Sequence, residues 1–509
     1  MEKGHPKALY YLFFAELWER FAYYGMRALL VLYVVNELYT HLGKNLADER
    51  GIAIYAAFGA LVYATPVVGG MIADKYLGYR NAILNGGIMM AIGLMLMAMG
   101  NYYTFYLGLG FLTTGNGLFK PNISSMVGGL YPQGDPRRDA GFTIFYMGIN
   151  LGAFLSPLVC GYIAMEYGRV YGFGAAGLGM LLGLAVFQYA IAKGVFGQLG
   201  LPPVSKENGE KVMGLSKSNF SLLLTYAAVP LLTLLVYKSH LAGYLLYVVL
   251  AMVVFIVGKS FAEITRAERE KIIAIFILAV FSTIFWSFFE QAGSSITLFA
   301  ERNVNLVFMN AEQTNSINPL YIIALAIPVS FFWTWLSNRK MNPFTPYKFA
   351  FGIAQLGIGF LVFAYGARFA SEVGLVPLWT LFLGYFLITT GELFISPIGL
   401  SMVTRLSPAK VVSFMMGVWF LSVSFAQHIA GFIAKLTTKE VSADEGIMNR
   451  LAEAVTGLSP QSVAGKDAAF TTLLQYTNVF TTIAVIALIT AVVAILISPL
   501  IRKLMHGEH

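Results

Sequence analysis

Seven ionisable residues stand inside long apolar runs of this 509-residue chain: Glu16, Glu19, Arg20, Arg27, Lys120, Glu290 and Glu392. At the centre of a membrane-spanning helix each would cost about 2.5–3.5 kcal/mol to insert, together on the order of 20 kcal/mol, unless it pairs or faces water. Residues of this kind mark substrate pathways and proton relays. Counted as ionised they are three cations and four carboxylates, so one carboxylate lacks a cationic counterpart. Desolvation moves such a group toward a pKa at which it can load and release a proton. The chemistry suggested is proton binding coupled to recognition of a charged solute.

The first span shows how a helix would position these groups. The stretch "AELWERFAYYG", Ala15 to Gly25, lies within the apolar run Leu9 to Leu38. At helical spacing Glu16, Glu19, Arg20, Tyr23, Tyr24 and Arg27 fall within an arc of about 140°, while Leu17, Trp18, Phe21, Ala22 and Leu29 point elsewhere. A purely structural alternative is a staple in which Glu16 or Glu19 pairs with Arg20. Tyr23, Tyr24 and Arg27 on the same face argue for more than a staple. Lys120, in "GLFKPN", is within two turns of one end of its span, where snorkelling is the alternative. Glu290, in "FWSFFEQAG", and Glu392, in "TTGELFISPIG", sit mid-span; a protonated structural glutamate is the alternative for each. Pro121, Pro157, Pro328 and Pro397 read as ordinary kinks of membrane helices.

Composition supplies the setting. The chain is 57% hydrophobic and 12% charged, with a mean hydropathy of +0.69, where a soluble chain carries about a quarter charged residues. Apolar runs of roughly 20 residues, long enough to cross a bilayer, recur throughout. The fold class expected is an all-α polytopic membrane protein of fourteen spans: 9–38, 51–74, 80–100, 103–127, 140–165, 170–191, 219–237, 241–260, 272–300, 317–337, 346–367, 377–403, 411–434 and 472–501. The even-numbered loops hold Lys75, Arg80, Arg137, Arg138, Lys206, Lys211, Lys217, Arg266, Arg269, Lys271, Arg339, Lys340, Arg405 and Lys410. The positive-inside rule therefore places both termini in the cytoplasm. The same rule accounts for the net charge of +8 without a nucleic-acid partner. The start, "MEKGHPK", leads directly into the first span and reads as an uncleaved helix without a secretory signal. Cys160 is the only cysteine, which excludes an intramolecular disulfide and a cysteine metal cluster.

Six spans, a polar stretch with two more spans, and six further spans imply two similar halves: 1–195, a linker with a two-helix insert at 196–270, and 271–509. The turn after the second span, "GGMIADKYLGYR", with Gly70, Asp74, Lys75, Gly78 and Arg80, resembles the loop signature of the major facilitator superfamily; "LSNRKMNP" is its weaker counterpart in the second half. That family pairs two six-helix bundles with a substrate site near the midplane. The insert reads as a peripheral structural hairpin.

More specifically, "ELWERFAYYG" resembles the ExxERFxYYG signature of the proton-dependent oligopeptide transporters, the peptide branch of that superfamily. "GGMIADKYLG" and "FYMGINLG", Phe145 to Gly152, support the resemblance, and the insert is similar to one in prokaryotic members. The resemblance implies a proton-coupled symporter importing di- and tripeptides across the cytoplasmic membrane by alternating access, with protons as co-substrate, no cofactor or metal, and a monomeric state. It also implies roles. Glu16, Glu19, Arg20 and Glu290 would couple proton and substrate binding. Arg27 with Glu290, and Lys120 with Glu392, would form salt-bridge gates. Lys120 would engage the peptide carboxylate or pair with a carboxylate across the bundle, and Glu392 would receive the peptide's ammonium; Arg20 and Arg27 also count among the substrate-binding residues. Asn150, Asn318 and Ser396 would bond the substrate, and Tyr23, Tyr24, Tyr63, Trp286 and Trp419 would line side-chain pockets. One departure stands out: several members carry a histidine in the second span, whereas residues 51–74 here contain none. Proton handling would rest on carboxylates, and His428 reads as a packing residue.

A peptide zwitterion suits a site with separated acidic and basic corners. A sugar carrier would not need the charges, and a nitrate carrier would need the cations but not Glu392; a carrier of nitrate or of an amino-acid derivative is the alternative. A membrane enzyme would need a nucleophile with a reachable base or metal-ligand spacing. The chain has no His-x-x-x-His, no Asp-x-x-Asp and no buried Ser-His-Asp set.

Overall fold

Backbone groups inside hydrocarbon must be satisfied within their own segment, and each apolar run accordingly folds as helix. The computed structural model describes residues 4–132, 135, 137–203, 211–261, 264–407, 412–441 and 446–506. The loop cations Lys206 and Lys410 and the first three residues lie outside the described residues, as does the side chain of Pro397. The helices are α1 (Lys7–Tyr33), α2 (Lys44–Ile72), α3 (Gly78–Ala98), α4 (Tyr102–Gly129), α5 (Arg138–Tyr167), α6 (Arg169–Ala192), α7 (Lys217–Ala227), α8 (Val229–Tyr237) and α9 (Ser239–Ser260). They continue as α10 (Arg266–Phe289), α11 (Ser295–Asn303), α12 (Ile317–Asn338), α13 (Thr345–Tyr365), α14 (Trp379–Leu406), α15 (Val412–Lys435), α16 (Ile447–Thr456), α17 (Pro460–Val463) and α18 (Ala468–Leu504). Each expected span has a helix at its position. The first runs past α1 into a π-helical turn, Val34–Leu38, and the second reaches the turn after α2. The seventh and ninth each cover two helices in tandem, and residue 411 of the thirteenth lies outside the described residues. Among the described residues eleven helical segments are long and apolar enough to cross a membrane, one of which, Lys44–Ala98, comprises α2 and α3.

The chain forms two compact units. The first is Met1–Tyr33 with Ala57–Ala242; the second is Val34–Ala56 with Gly243–His509.

In the first unit α1 packs on α5 and α6, and α3 on α4 and α6. The signature stretch after α2 is not a loop. It winds as a π-helical turn, Ala73–Leu77, directly into α3. Gly78 then adopts φ +71°, and a Cβ there would stand 2.5 Å from the Leu201 carbonyl carbon. Glycine alone fits both the angle and the space. Arg80 fastens the same segment: its Nε donates to Leu199 O at 2.6 Å, its Nη2 to Gly197 O at 2.7 Å and its backbone N–H to Gly200 O at 3.0 Å. The basic signature therefore holds the chain leaving α6. The first insert span breaks between α7 and α8, where Pro230 occupies the first turn of α8, and α8 lies against α4.

In the second unit α13 packs between α14 and α18, and α10 against α15. Phe299, Phe360, Phe363, Tyr476 and Phe480 form a connected aromatic core. His428 packs its ring edge-on to Tyr247 of α9 (5.7 Å) and to Phe432 (4.9 Å), beside Gly243. Two short pairings complete the fold. β1 (Lys211–Val212) and β2 (Leu215–Ser216) are antiparallel in the linker, and β3 (Val304–Asn305) and β4 (Val376–Pro377) are parallel beyond α11.

Candidate functional site

In the first unit the polar stripe of α1 is buried: Glu16 is 3% exposed, Glu19 0% and Arg20 3%. Arg20 is clamped between both glutamates. Its Nε donates to Glu19 Oε2, its Nη2 donates to Glu19 Oε1 at 2.6 Å, and its Nε lies 3.2 Å from Glu16 Oε1. The guanidinium thus holds Glu19 with two parallel donors, the geometry in which arginine binds carboxylate best. Asn116 of α4 adds a long hydrogen bond, its Nδ2 donating to Glu19 Oε1 at 3.4 Å. Glu16 Oε2 is buried without a hydrogen-bond partner, as is Asn116 Oδ1.

Cations of this unit, Arg20 included, rest on aromatic faces. The Arg20 guanidinium is 5.4 Å from the Tyr23 ring centroid, Arg27 is 5.7 Å from Tyr24, and Lys120 Nζ is 4.5 Å from Tyr63. Lys120 on α4 therefore meets α2, and cation–π contact keeps its head oriented inside the unit. Tyr23 also stacks on Phe58. Asn150 of α5 is buried, with its Nδ2 donating to Tyr146 O at 3.0 Å.

The "FYMGINLG" stretch is the surface on which this stripe is seated. A Cβ on Gly152 would stand 2.3 Å from Leu17 O and 3.0 Å from Arg20 Cβ. Helix α5 thereby approaches α1 at the turn carrying the clamp. Gly152→Val is expected to force the two helices apart, costing about 1–3 kcal/mol. It should lower the melting temperature in detergent and remove ligand-induced stabilisation; an unchanged melt and ligand response would show that α1 is positioned otherwise.

In the second unit α10 ends at Phe289, and Glu290–Gly293 forms a single 3-10 turn before α11. Glu290 is buried on this break. Trp286, half-buried one turn earlier, packs edge-on to Phe289 at 4.9 Å. A break inside an apolar span frees backbone groups that need partners, and Gln291 meets one of them while tying the break to α15. Its Nε2 donates to Ser287 O (3.1 Å) and to Ala430 O of α15 (3.0 Å), and its Oε1 accepts from Ser295 Oγ (2.6 Å). Sequence reasoning missed Gln291 because an amide beside a glutamate carries no periodicity signal.

Glu392 of α14 is half-buried, and its Oε2 accepts from Asn318 Nδ2 of α12 at 2.9 Å. Asn318 Nδ2 also lies 3.0 Å from Thr389 Oγ1. Ser396, half-buried, follows one turn later on α14. Trp419 of α15 is buried, its ring against Gly399 of α14. Each unit therefore gathers part of the expected set. Glu16, Glu19, Arg20, Tyr23, Tyr24, Arg27, Tyr63, Lys120 and Asn150 belong to the first, and Trp286, Glu290, Asn318, Glu392, Ser396 and Trp419 to the second.

A second ion pair escaped sequence reasoning. Arg302, at the end of α11, binds Asp48, in the first turns of α2, through Nη1 to Oδ2 (2.6 Å) and Nη2 to Oδ1 (2.8 Å). Nη1 also donates to Tyr476 Oη at 3.1 Å. Both residues flank apolar runs, within short charged clusters (Asp48-Glu49-Arg50 and Glu301-Arg302) that read as loop residues.

The chain matches the POT family (PTR2) over residues 80–450. It is 36% identical to the peptide transporter YePEPT of Yersinia enterocolitica, covering 84% of this chain and 88% of that protein. It is 34% identical to dipeptide and tripeptide permease A of Serratia proteamaculans, covering 85% and 83%. A solved structure of peptide transporter POT, a mutant in complex with alafosfalin, superposes with a TM-score of 0.79 at 35% identity, covering 100% of this chain and 97% of that one.

Proposed function

Because this chain belongs to the POT family, we propose that it imports di- and tripeptides together with protons across the cytoplasmic membrane by alternating access. The observation that carries this reading is the Glu16–Arg20–Glu19 clamp. Two buried carboxylates share one guanidinium, and Glu16 Oε2 has no donor. A buried carboxylate that shares a guanidinium with a second carboxylate, and has one oxygen without a donor, can be relieved by taking up a proton. Proton loading on Glu16 would release Arg20 from one of its two partners, so that the guanidinium could turn to a peptide carboxylate.

The remaining roles follow the charges. Arg27 and Lys120 offer further cationic contacts for the carboxylate end of a zwitterion. Glu392, already oriented by Asn318, offers an acceptor for its ammonium. Asn150, Asn318 and Ser396 serve the peptide backbone, and Tyr23, Tyr24, Tyr63, Trp286 and Trp419 accommodate side chains. Glu290 acts in proton coupling, and Arg27, Lys120 and Glu392 serve as gating charges. The peptide is carried intact by a monomer built as two six-helix halves, 1–195 and 271–509, joined by 196–270, with both termini cytoplasmic. The membrane potential adds about 2.3 kcal/mol per proton per 100 mV to the driving force.

Uptake of a labelled dipeptide into proteoliposomes with an imposed pH gradient and potential tests the reading. Proton-stimulated uptake is expected; transport of nitrate or an amino-acid derivative in its place would overturn it. For coupling, Glu290→Gln is expected to abolish gradient-driven accumulation while counterflow exchange continues near the wild-type rate. Equal loss of both would refute its proton role.

A further inference from the structure

Helix α12 ends in an unusual way. The Met341 N–H donates to Leu336 O (2.9 Å) and the Lys340 N–H to Ser337 O (2.9 Å), the paired bonds of a Schellman cap. The residue at the left-handed position of such a cap is normally glycine, and here it is Lys340 at φ +57°. A side chain there is strained, and strain of this kind is kept where the side chain serves a purpose.

The surroundings say what purpose. Arg339 lies over the Trp335 ring (4.2 Å to the centroid), Lys348 Nζ over Trp333 (4.4 Å) and Arg502 over Phe344 (3.7 Å). These contacts bring the last turns of α12, the start of α13 and the end of α18 together. With Lys340 and Lys503 they gather five cations. Residues 330–350 and 496–505 contain no Asp or Glu, and among the described residues none of the five makes an ion pair with a carboxylate. Glu270, on α10 near the end of α18, is engaged by His506 and Arg266 instead. Below the cations α12 presents Ile327, Phe331, Phe332 and Trp335 as exposed apolar side chains. A cationic cap over an apolar helix face complements one kind of molecule: a phosphate-bearing anionic headgroup with acyl chains. Aromatic rings at such a level anchor to the membrane interface, and basic clusters beside spans bind anionic lipid headgroups.

The geometry points to a binding site for an anionic glycerophospholipid, its phosphate held by Arg339, Lys340, Lys348 and Arg502 and its acyl chains lying along α12. This site does not depend on the peptide reading.

The test uses the full-length protein in phosphatidylcholine vesicles containing a tenth of either brominated phosphatidylglycerol or brominated phosphatidylcholine, reading quenching of tryptophan fluorescence. Stronger quenching by the brominated phosphatidylglycerol is expected. Each cation removed should weaken the preference about fivefold, so Arg339→Gln with Lys340→Gly and Arg502→Gln should abolish it. Lys340→Gly alone separates binding from folding: it relieves the left-handed strain, so the melting temperature should hold or rise while the lipid preference falls. Equal quenching by both lipids, or a preference untouched by the triple substitution, would overturn the proposal. So would loss of the preference on adding millimolar inorganic phosphate at constant ionic strength, which would assign the site to a free anion.

Discussion

Arg20→Ala is expected to abolish peptide uptake and to destabilise the protein by about 3–5 kcal/mol, the cost of removing one partner from a buried ion pair. The guanidinium is the cation that meets both Glu16 and Glu19 in the structure, and it occupies both oxygens of Glu19. Without it two carboxylates are buried side by side, and folding must either bury both charges or take up at least one proton. Arg20→Lys should keep the fold with a smaller loss, because an ammonium supplies the charge but not the planar pair of donors. The informative variant is Arg20→Ala with Glu16→Gln. Removing one carboxylate should recover part of the stability, while proton-driven uptake stays absent. Thermal melts in detergent and proteoliposome uptake read the two effects separately. A wild-type melt and wild-type uptake for Arg20→Ala would remove the clamp from both the fold and the mechanism.

The Glu16–Arg20 half of this clamp was legible in the sequence because a spacing of four residues brings two side chains together on one helix. The bond from Arg20 to its chain neighbour Glu19 follows no helical spacing. The spans were legible too, since an apolar run in a membrane has no alternative to helix. Contacts between helices were less legible. The "FYMGINLG" stretch is recognisable as a motif, but that Gly152 faces Leu17 and Arg20 follows from how α5 packs on α1, which no spacing encodes. The turn "GGMIADKYLGYR" reads as a break because of its charges and glycines. In the structure it stays helical as a π turn, since Arg80 and Gly78 find their partners in residues 197–202, more than a hundred positions away. Gln291 was invisible for a related reason: its function, filling the break after Glu290, exists only once α15 lies alongside. Asp48 and Arg302 were the hardest, each one of several charges clustered at the end of an apolar run (Asp48-Glu49-Arg50, Glu301-Arg302) with its partner far off in sequence.

That last pair carries the other large expected effect. Asp48→Ala and Arg302→Ala should each lower stability by about 3–5 kcal/mol, because the side chains are only 5% and 14% exposed and bound through two hydrogen bonds. The pair fastens the first turns of α2 to α11 and, through Tyr476, to α18. Asn36 Nδ2 donating to Glu301 Oε1 (2.7 Å) and Thr438 Oγ1 to Glu49 Oε1 (3.4 Å) act beside it. These bonds explain why residues 34–56 belong to the second compact unit although α2 continues into the first. Neutralising both partners with Asp48→Asn and Arg302→Gln should cost less than the two single losses added together, since neither change then leaves a buried charge alone. Exchanging them, Asp48→Arg with Arg302→Asp, should restore part of the stability. Tyr476 would then donate to the carboxylate instead of accepting from the guanidinium, a reversal its hydroxyl permits. Additive single effects, with no recovery in the exchanged pair, would show that residues 34–56 are held by packing rather than by this ion pair.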